Sequence, residues 1–289
     1  MLPSTPESLL PIVVQSMSKT PDARLKELLT SLVRHLHAFV LETRLTEAEF
    51  EYALGYVNAI GQATCDTKNE AVLVADLLGV SSLVALLNNA DSHGESDAAL
   101  LGPFWRANSL AMPPGASIAS ADTPGLPLEG SGTVRDAAGR PLAGVTVDIW
   151  HASPCGLYEN QDQTQPDMNL RGRFQTDEQG RFQFRSVRPA GYPVPVDGPG
   201  GVLLRAQARH EFRPAHLHFM CSKPGYKVLI TQVYADDSEY LHSDPTFGVT
   251  RRLVGQYKVE QRPGGAVAVF DHDFTLLEGE MVFPHPPIP

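Results

Sequence analysis

Two histidines one residue apart, His216 and His218, sit in the run Arg213-Pro214-Ala215-His216-Leu217-His218-Phe219. In a strand, alternate side chains share a face, so both imidazoles point one way while Leu217 and Phe219 point into apolar packing. That geometry is half of a metal site, and Arg213 brings a permanent cation beside it. Alone, a His-x-His pair fits two packed or surface histidines equally well. Two tyrosines upstream change the reading: Tyr158 in Gly156-Leu157-Tyr158-Glu159-Asn160 and Tyr192 in Gly191-Tyr192-Pro193. Structural zinc prefers cysteine and histidine, so two phenols with two imidazoles suit it poorly. A phenolate is a hard, strongly donating oxygen, and a hard high-valent ion, ferric iron foremost, matches it. A neutral phenol with a pKa of ~10 binds little, so the ion must itself drive the ionisation.

Such a set needs a framework that holds loops still. The chain has 289 residues, 42% hydrophobic and 19% charged, enough for a sizeable core in one large domain or two smaller ones. A net charge of −10 and a pI near 5.4 argue against nucleic acid or an anionic membrane as partner. Cys65, Cys155 and Cys221 form no Cys-x-x-Cys and leave one cysteine unpaired, which points to a reducing cytoplasm. The first residues lack a basic segment, and Pro3, Pro6 and Pro11 break their apolar run, unlike a signal peptide. Residues 71–90 are apolar enough to imitate a membrane span. Asp76, Gly79, Ser81 and Ser82 within them point instead to two short buried helices, with no span.

The first hundred or so residues read as helical. Leu25, Leu28, Leu29, Leu32, Val33, Leu36, Phe39 and Val40 recur at helical spacing. Thr46 and Glu49 form a capping box for a helix that turns Phe50, Leu54, Val57 and Ile60 inward. Residues 69–78 predict a third helix stopped by Gly79, and Ser81 or Ser82 caps a fourth. Helices this apolar need a second surface, either a dimer partner or the rest of the chain. Beyond Gly102-Pro103 and a Pro/Gly/Ser-rich crossing at 112–127, short strands with glycine turns predict an antiparallel β-sandwich. Residues 132–135 and the alternating Val145, Val147 and Ile149 predict a hairpin, and the same device recurs around Asp177-Glu178-Gln179-Gly180-Arg181. Further strands are expected at 202–208, 215–221, 228–234 and 266–276. The expectation is an α+β chain, with a helical linker and dimerisation domain over 1–101 and a β-sandwich catalytic domain over 102–289. Long loops at 154–169 and 189–201 carry the two tyrosines.

Taken together, these motifs resemble the intradiol ring-cleaving dioxygenases, in their catechol and hydroxyquinol 1,2-dioxygenase branch. The likeness rests first on Gly130-Ser131-Gly132-Thr133-Val134-Arg135-Asp136 and Gly139-Arg140-Pro141-Leu142-Ala143-Gly144-Val145-Thr146-Val147-Asp148-Ile149-Trp150. Gly156-Leu157-Tyr158, Gly191-Tyr192-Pro193-Val194-Pro195, the His-x-His run and Thr231-Gln232 follow in the family's order, covering nearly the whole chain. The resemblance implies a non-haem Fe(III) held by Tyr158, Tyr192, His216 and His218. It implies that Tyr192 leaves the metal and helps take up a substrate proton, that Arg213 stabilises charge on the ring, and that Gln232 is a polar neighbour of the metal. The activity implied is cleavage of a catecholic ring by O2 to a cis,cis-muconate-type dicarboxylic acid. A homodimer through the N-terminal helices, with a bound phospholipid there, is implied as well.

Pocket positions of the family match Leu73, Asp76, Leu101, Gly102, Pro103, Phe104, Val194, Pro195 and Phe247. Gly102-Pro103-Phe104 and Asp76 resemble hydroxyquinol-preferring members, whereas catechol-preferring members commonly carry a small aliphatic residue after the Gly-Pro pair. Trp105-Arg106 departs from the commoner patterns, and catechol and chlorocatechols are the other candidate substrates. The residues leave one further class open, a prealbumin-like sandwich that binds without catalysis.

Overall fold

The computed structural model describes residues 2–88 and 96–289. Packing divides them into two compact units, one ending at Asn58 and one starting at Ala59. The first holds helices α1 (Pro6–Ser16), α2 (Ala23–Thr43) and most of α3 (Glu47–Ala63). Side chains start them: Asp22 accepts from the Leu25 amide at 2.9 Å, and Thr46 and Glu49 make the expected reciprocal pair, at 2.9 and 3.3 Å. None of the three helices contains a buried residue. Along α2, Leu25, Leu28, Leu32, Leu36 and Phe39 are all about half-exposed, at 47–54%.

The second unit contains α4 (Glu70–Leu77), α5 (Val80–Asn88) and α6 (Pro199–Ala206). It also contains strands β1 (Pro127–Asp136), β2 (Thr146–Trp150), β3 (Arg171–Gln175), β4 (Arg181–Val187), β5 (Tyr192–Pro193) and β6 (Phe212–Arg213). The remaining strands are β7 (His216–Ser222), β8 (Leu229–Ala235), β9 (Val254–Gly255), β10 (Tyr257–Arg262), β11 (Gly265–Asp271) and β12 (Phe274–Leu276). One sheet runs β10-β11-β1-β12 with β4 also on β1, a second runs β3-β2-β7-β8-β9, and β5 pairs with β6 alone. Most pairs are antiparallel, but β1 runs parallel to β11 and β12, and β9 parallel to β8. Inward residues of both sheets meet in one core: Leu128, Val134, Phe182, Phe184, Phe270 and Phe274 against Val147, Ile149, Phe174, Leu217, Phe219 and Val233. Strand β1 can run this close to its neighbours only with glycine at 132, where a Cβ would lie 1.9 Å from the His272 carbonyl oxygen.

Both expected hairpins are corners between the sheets. β1 belongs to the first sheet and β2 to the second; β3 belongs to the second and β4 to the first. Each corner uses the same Asp-x-x-Gly-Arg turn. Asp136 Oδ1 accepts from the Ala138 and Arg140 amides, and Asp177 Oδ1 from those of Gln179 and Arg181, all at 2.9 Å. The turn chemistry reverses the chain in either case, and only the packing of the next strand decides which sheet it joins.

The expected strand at 202–208 is helix α6. Pro199 opens its first turn, and Glu70 Oε1 accepts from the Gly200 amide at 2.7 Å. Val202-Leu203-Leu204 has no period of its own, and Leu204 alone of the three is buried. Helix α5 begins at Val80, so neither serine caps it; the Ser82 hydroxyl donates to the Thr246 carbonyl at 2.8 Å. α4 buries Leu73, Val74, Asp76 and Leu77, whereas Ser82 is the buried residue of α5, so only the first of the two expected helices is sunk in the core. Among the described residues no single helix is long and apolar enough to cross a membrane, and α4 and α5 are bent by 78°. Residues 89 and 90 of that candidate span lie outside the described residues.

Candidate active site

The alternation that builds the core also builds the site. On the second sheet the residues between the inward ones are Asp148 and Trp150 on β2, His216, His218 and Met220 on β7, and Gln232 and Tyr234 on β8. Register sets Trp150 opposite His218, His218 opposite Gln232, and His216 opposite Tyr234. The Trp150 ring stacks on His218 with centroids 4.7 Å apart. The short ribbon of β5 and β6 sets Tyr192 opposite Arg213. Tyr158 comes from the loop after β2, where Gly156 turns the chain at φ 85°, and a Cβ there would press on Tyr192 Cβ at 3.1 Å.

Four polar ring groups converge. The Tyr158 and Tyr192 hydroxyl oxygens are 3.2 Å apart, as are the Nε2 atoms of His216 and His218, and the Tyr192 and His216 ring centroids are 5.5 Å apart. All four residues are buried. His216 Nδ1 donates to the Pro214 carbonyl at 2.7 Å, which leaves a lone pair on its Nε2. Burial, aided by the Arg213 charge, pulls the His216 pKa down to about 3, and burial holds His218 well below its usual value. Both are therefore neutral, the state in which imidazole binds a metal. Burial pushes the Tyr158 hydroxyl well above the usual phenol range, with Tyr192 adding to it, so ionising it takes a cation at its oxygen. These four residues fit a hard cation that binds neutral nitrogen and ionised oxygen. Among the described residues no three His, Cys, Asp or Glu side chains cluster as a rival site.

Arg213 is buried and held on several sides. Its Nε donates to Asp244 Oδ1 at 3.1 Å, and its Nη2 to Asp244 Oδ2 at 3.2 Å, Gln232 Oε1 at 2.9 Å and the Tyr234 hydroxyl at 2.8 Å. Nη1 is 3.2 Å from His216 Nε2. Burial works against the guanidinium charge, but Asp244, Tyr234 and Tyr192 together outweigh it and hold the pKa well above the usual value. Asp244 is likewise penalised by burial and held below the carboxylate range by Arg213. The Thr246 hydroxyl and the Gly248 amide also donate to Asp244 Oδ2, at 2.9 and 3.0 Å. Gln232 is anchored through Nε2 to the Leu100 carbonyl at 2.8 Å. Sequence reasoning singled out Arg213 and Gln232 and missed Asp244 and Tyr234. Tyr234 had a signal, two residues past Gln232 on one strand face; Asp244 lies in a separate loop and had none.

Residues 101–278 match the family described as Dioxygenase, and residues 22–96 match the one described as Catechol dioxygenase N terminus. The chain belongs to the intradiol ring-cleaving dioxygenases. This dioxygenase is 40% identical over 269 residues to 6-chlorohydroxyquinol 1,2-dioxygenase of Cupriavidus pinatubonensis, covering 93% of this chain and 96% of that one. It is 38% identical over 273 residues to an intradiol ring-cleavage dioxygenase of Aspergillus niger, covering 92% and 86%. The solved structure of hydroxyquinol 1,2-dioxygenase from Pseudomonas putida matches with a TM-score of 0.86 at 36% identity, covering 95% of this chain and 99% of that one.

The expected pocket residues of the dioxygenase fall into distinct places. Phe104 packs on the Tyr158 ring at 4.7 Å, and a Cβ on Gly102 would lie 3.2 Å from His218 Cε1. Leu73 and Val194 join Leu77 and Leu204 in a small apolar cluster. Pro103 is buried, and Leu101 and Pro195 are half-buried. Asp76 is buried, and burial lifts its pKa to about 6, opposed by a Ser81 hydrogen bond and the Arg213 charge. Phe247 is 55% exposed under the Arg209 guanidinium, and with Asp244 it lines a cleft of about 700 Å³.

Proposed function

We propose that this dioxygenase opens hydroxyquinol between its adjacent hydroxyls with O2, giving a cis,cis-muconate-type dicarboxylic acid. The site we assign is a non-haem Fe(III) held by Tyr158, Tyr192, His216 and His218. The observation that carries the reading is two buried phenols and two neutral imidazoles converging beside a held guanidinium. When bound, the ion supplies an electron-withdrawing centre for the catecholate and dioxygen. The chain supplies the rest. Tyr192, carried on the two-residue strand β5, would be the displaceable ligand of the four, and its oxygen would accept a phenolic proton from substrate. Arg213 stabilises negative charge developing on the ring, and Asp244, Gln232 and Tyr234 hold it so that it need not reorganise. Phe104 and Trp150 exclude water around the ligands.

Asp76 supports the choice of substrate. With a pKa of about 6 it is ionised at neutral pH and accepts a hydrogen bond from the third hydroxyl of hydroxyquinol. Plain catechol would leave it desolvated and unpaired, at about 1–3 kcal/mol, or roughly ten- to a hundredfold in specificity. The names of the relatives point the same way. The kcat/KM for hydroxyquinol should exceed those for catechol and chlorocatechols, and Asp76→Ala should erase most of that margin. A wild type that prefers catechol, or a preference that Asp76→Ala leaves untouched, overturns the hydroxyquinol reading while ring cleavage stands.

Asp76 also links stability to pH. Its folded pKa of about 6 lies above the ordinary 3.8, so between these values the folded state binds more protons than the unfolded one. The stability that Asp76 contributes is therefore fully present below about pH 4 and is lost as pH rises through about 6. Asp76→Asn should be more stable than the wild type at neutral pH, and the difference should shrink toward pH 4. Urea midpoints across this range check it; a difference that grows on acidification contradicts it.

We assign dimerisation to the helices within residues 1–101 and catalysis to 102–289, with Leu73 and Asp76 contributed across that boundary. The half-exposed apolar stripe of α2 supports a homodimer through the N-terminal helices, with phospholipid chains covering what the partner leaves open. Light scattering of the full chain at micromolar concentration should give twice the monomer mass; a monomer mass contradicts the dimer. All three cysteines are free thiols, which supports a reducing cytoplasm as the compartment.

A further inference from the structure

We infer that Arg171, aimed by Glu159, a carboxylate it shares with Arg106, is a positioning residue that sets the electronic character of the Tyr158 ligand. The inference rests on the Fe(III) reading above. Arg171 is buried at the start of β3, directly opposite Trp150 in the sheet. Its guanidinium carbon lies over the Tyr158 ring, 5.5 Å from the centroid, within the range at which a cation acts on an aromatic face. Phe104 packs on the same ring at 4.7 Å, so the phenol is held by one apolar and one cationic neighbour.

The residue that aims Arg171 is the one immediately after the ligand. Arg171 Nε donates to both Glu159 oxygens at 2.8 Å, so the loop that delivers Tyr158 also delivers the anchor of its cation. Glu159 is shared. Arg106 Nη1 reaches it at 2.9 Å, and Arg106 also bonds Asp167 at 2.7 Å and the Pro289 carbonyl at 2.8 Å. One buried carboxylate divided between two guanidinium groups leaves Arg171 incompletely neutralised. Consistent with that, Arg171 Nη1 is buried without a hydrogen-bond partner among the described residues. The surplus charge stands at the ring over which a bound phenolate spreads its electrons. A positive charge there acts more strongly on the ring than on an ion beyond its oxygen. It lowers the donor electrons in energy, so moving one to a ferric ion takes more light energy, and it favours retention of the anionic ligand.

The test compares the iron-loaded full chain with its Arg171→Met, Arg106→Met and Glu159→Gln variants, by visible absorption and by iron retention against a chelator. Repeating the spectra in a Tyr192→Phe background leaves Tyr158 as the one tyrosinate reporter. Arg171→Met should move the tyrosinate-to-iron band to longer wavelength and weaken iron retention about ten- to a hundredfold, the cost of losing an outer-shell partner. Arg106→Met returns Glu159 wholly to Arg171 and should shift the band the same way by less. Its partly exposed side chain keeps the test available if Arg171→Met fails to fold. Glu159→Gln removes the balancing anion and should shift the band to shorter wavelength. Loosened packing does not produce opposite signs at neighbouring residues. An unmoved band in iron-loaded Arg171→Met or Arg106→Met, or a Glu159→Gln shift in their direction, overturns the role. A colourless wild type overturns the Fe(III) reading instead, and this inference with it.

Discussion

Tyr158→Phe should leave the fold intact, abolish ring cleavage and shift or remove the visible colour. The wild type should carry about one iron per chain and absorb broadly in the visible, because two phenolates donate to a ferric ion. The substitution keeps the ring that packs against Phe104 at 4.7 Å and Tyr192 at 5.7 Å and deletes only the oxygen. Deleting one buried hydroxyl also relieves the desolvation that burial imposes on it, so stability should change little. The loss therefore reads on metal and chemistry. Partners that merely orient a metal ligand are worth ten- to a hundredfold, so losing a ligand atom should cost more than about a hundredfold in kcat. Iron per chain, the visible spectrum and hydroxyquinol turnover measure it. An iron-free, colourless wild type that still cleaves the ring would falsify the ligand assignment.

Arg213→Met should lower kcat by about a hundred- to a thousandfold, the usual cost of removing a preorganised charge from a developing anion. Two consequences separate on this residue. The buried Asp244 loses its counter-charge, and an unpaired buried carboxylate costs about 3–5 kcal/mol, so the single variant should also unfold more readily. Adding Asp244→Asn removes that stranded charge and should restore much of the stability without restoring turnover. The sign follows from the pair. Asp244 sits below its ordinary carboxylate value, so its contribution is present above that range and is lost only on acidification through the lowered pKa. Iron content and colour should survive in the double variant, since none of the four ligands is touched. A double variant that recovers stability and turnover together would show that Arg213 serves the fold alone.

The chemistry was legible because it depends on residue type and on a period of two. His216 and His218 share a strand face whatever the fold, and Leu217 and Phe219 between them must be apolar if the other face is core. One helix start was legible for a similar reason: Thr46 and Glu49 satisfy amides within three residues of themselves. The corners at Asp136 and Asp177 were legible as turns and not as crossings, since the hydrogen bonds of the turn are complete before the next strand chooses a sheet. A run such as Val202-Leu203-Leu204 carries no period, so strand and helix were not distinguishable until Glu70, 130 residues away, met the Gly200 amide. The two charges that complete the site were beyond reach for the same reason. Asp244 meets Arg213 across 31 residues, and the Arg171 guanidinium faces a ring on another loop; neither contact leaves a mark on local pattern. Residue type and alternation determined which atoms could bind and which way they point. The tertiary structure alone decided which buried charges stand behind them, because long-range contacts follow from how loops return over the sheet.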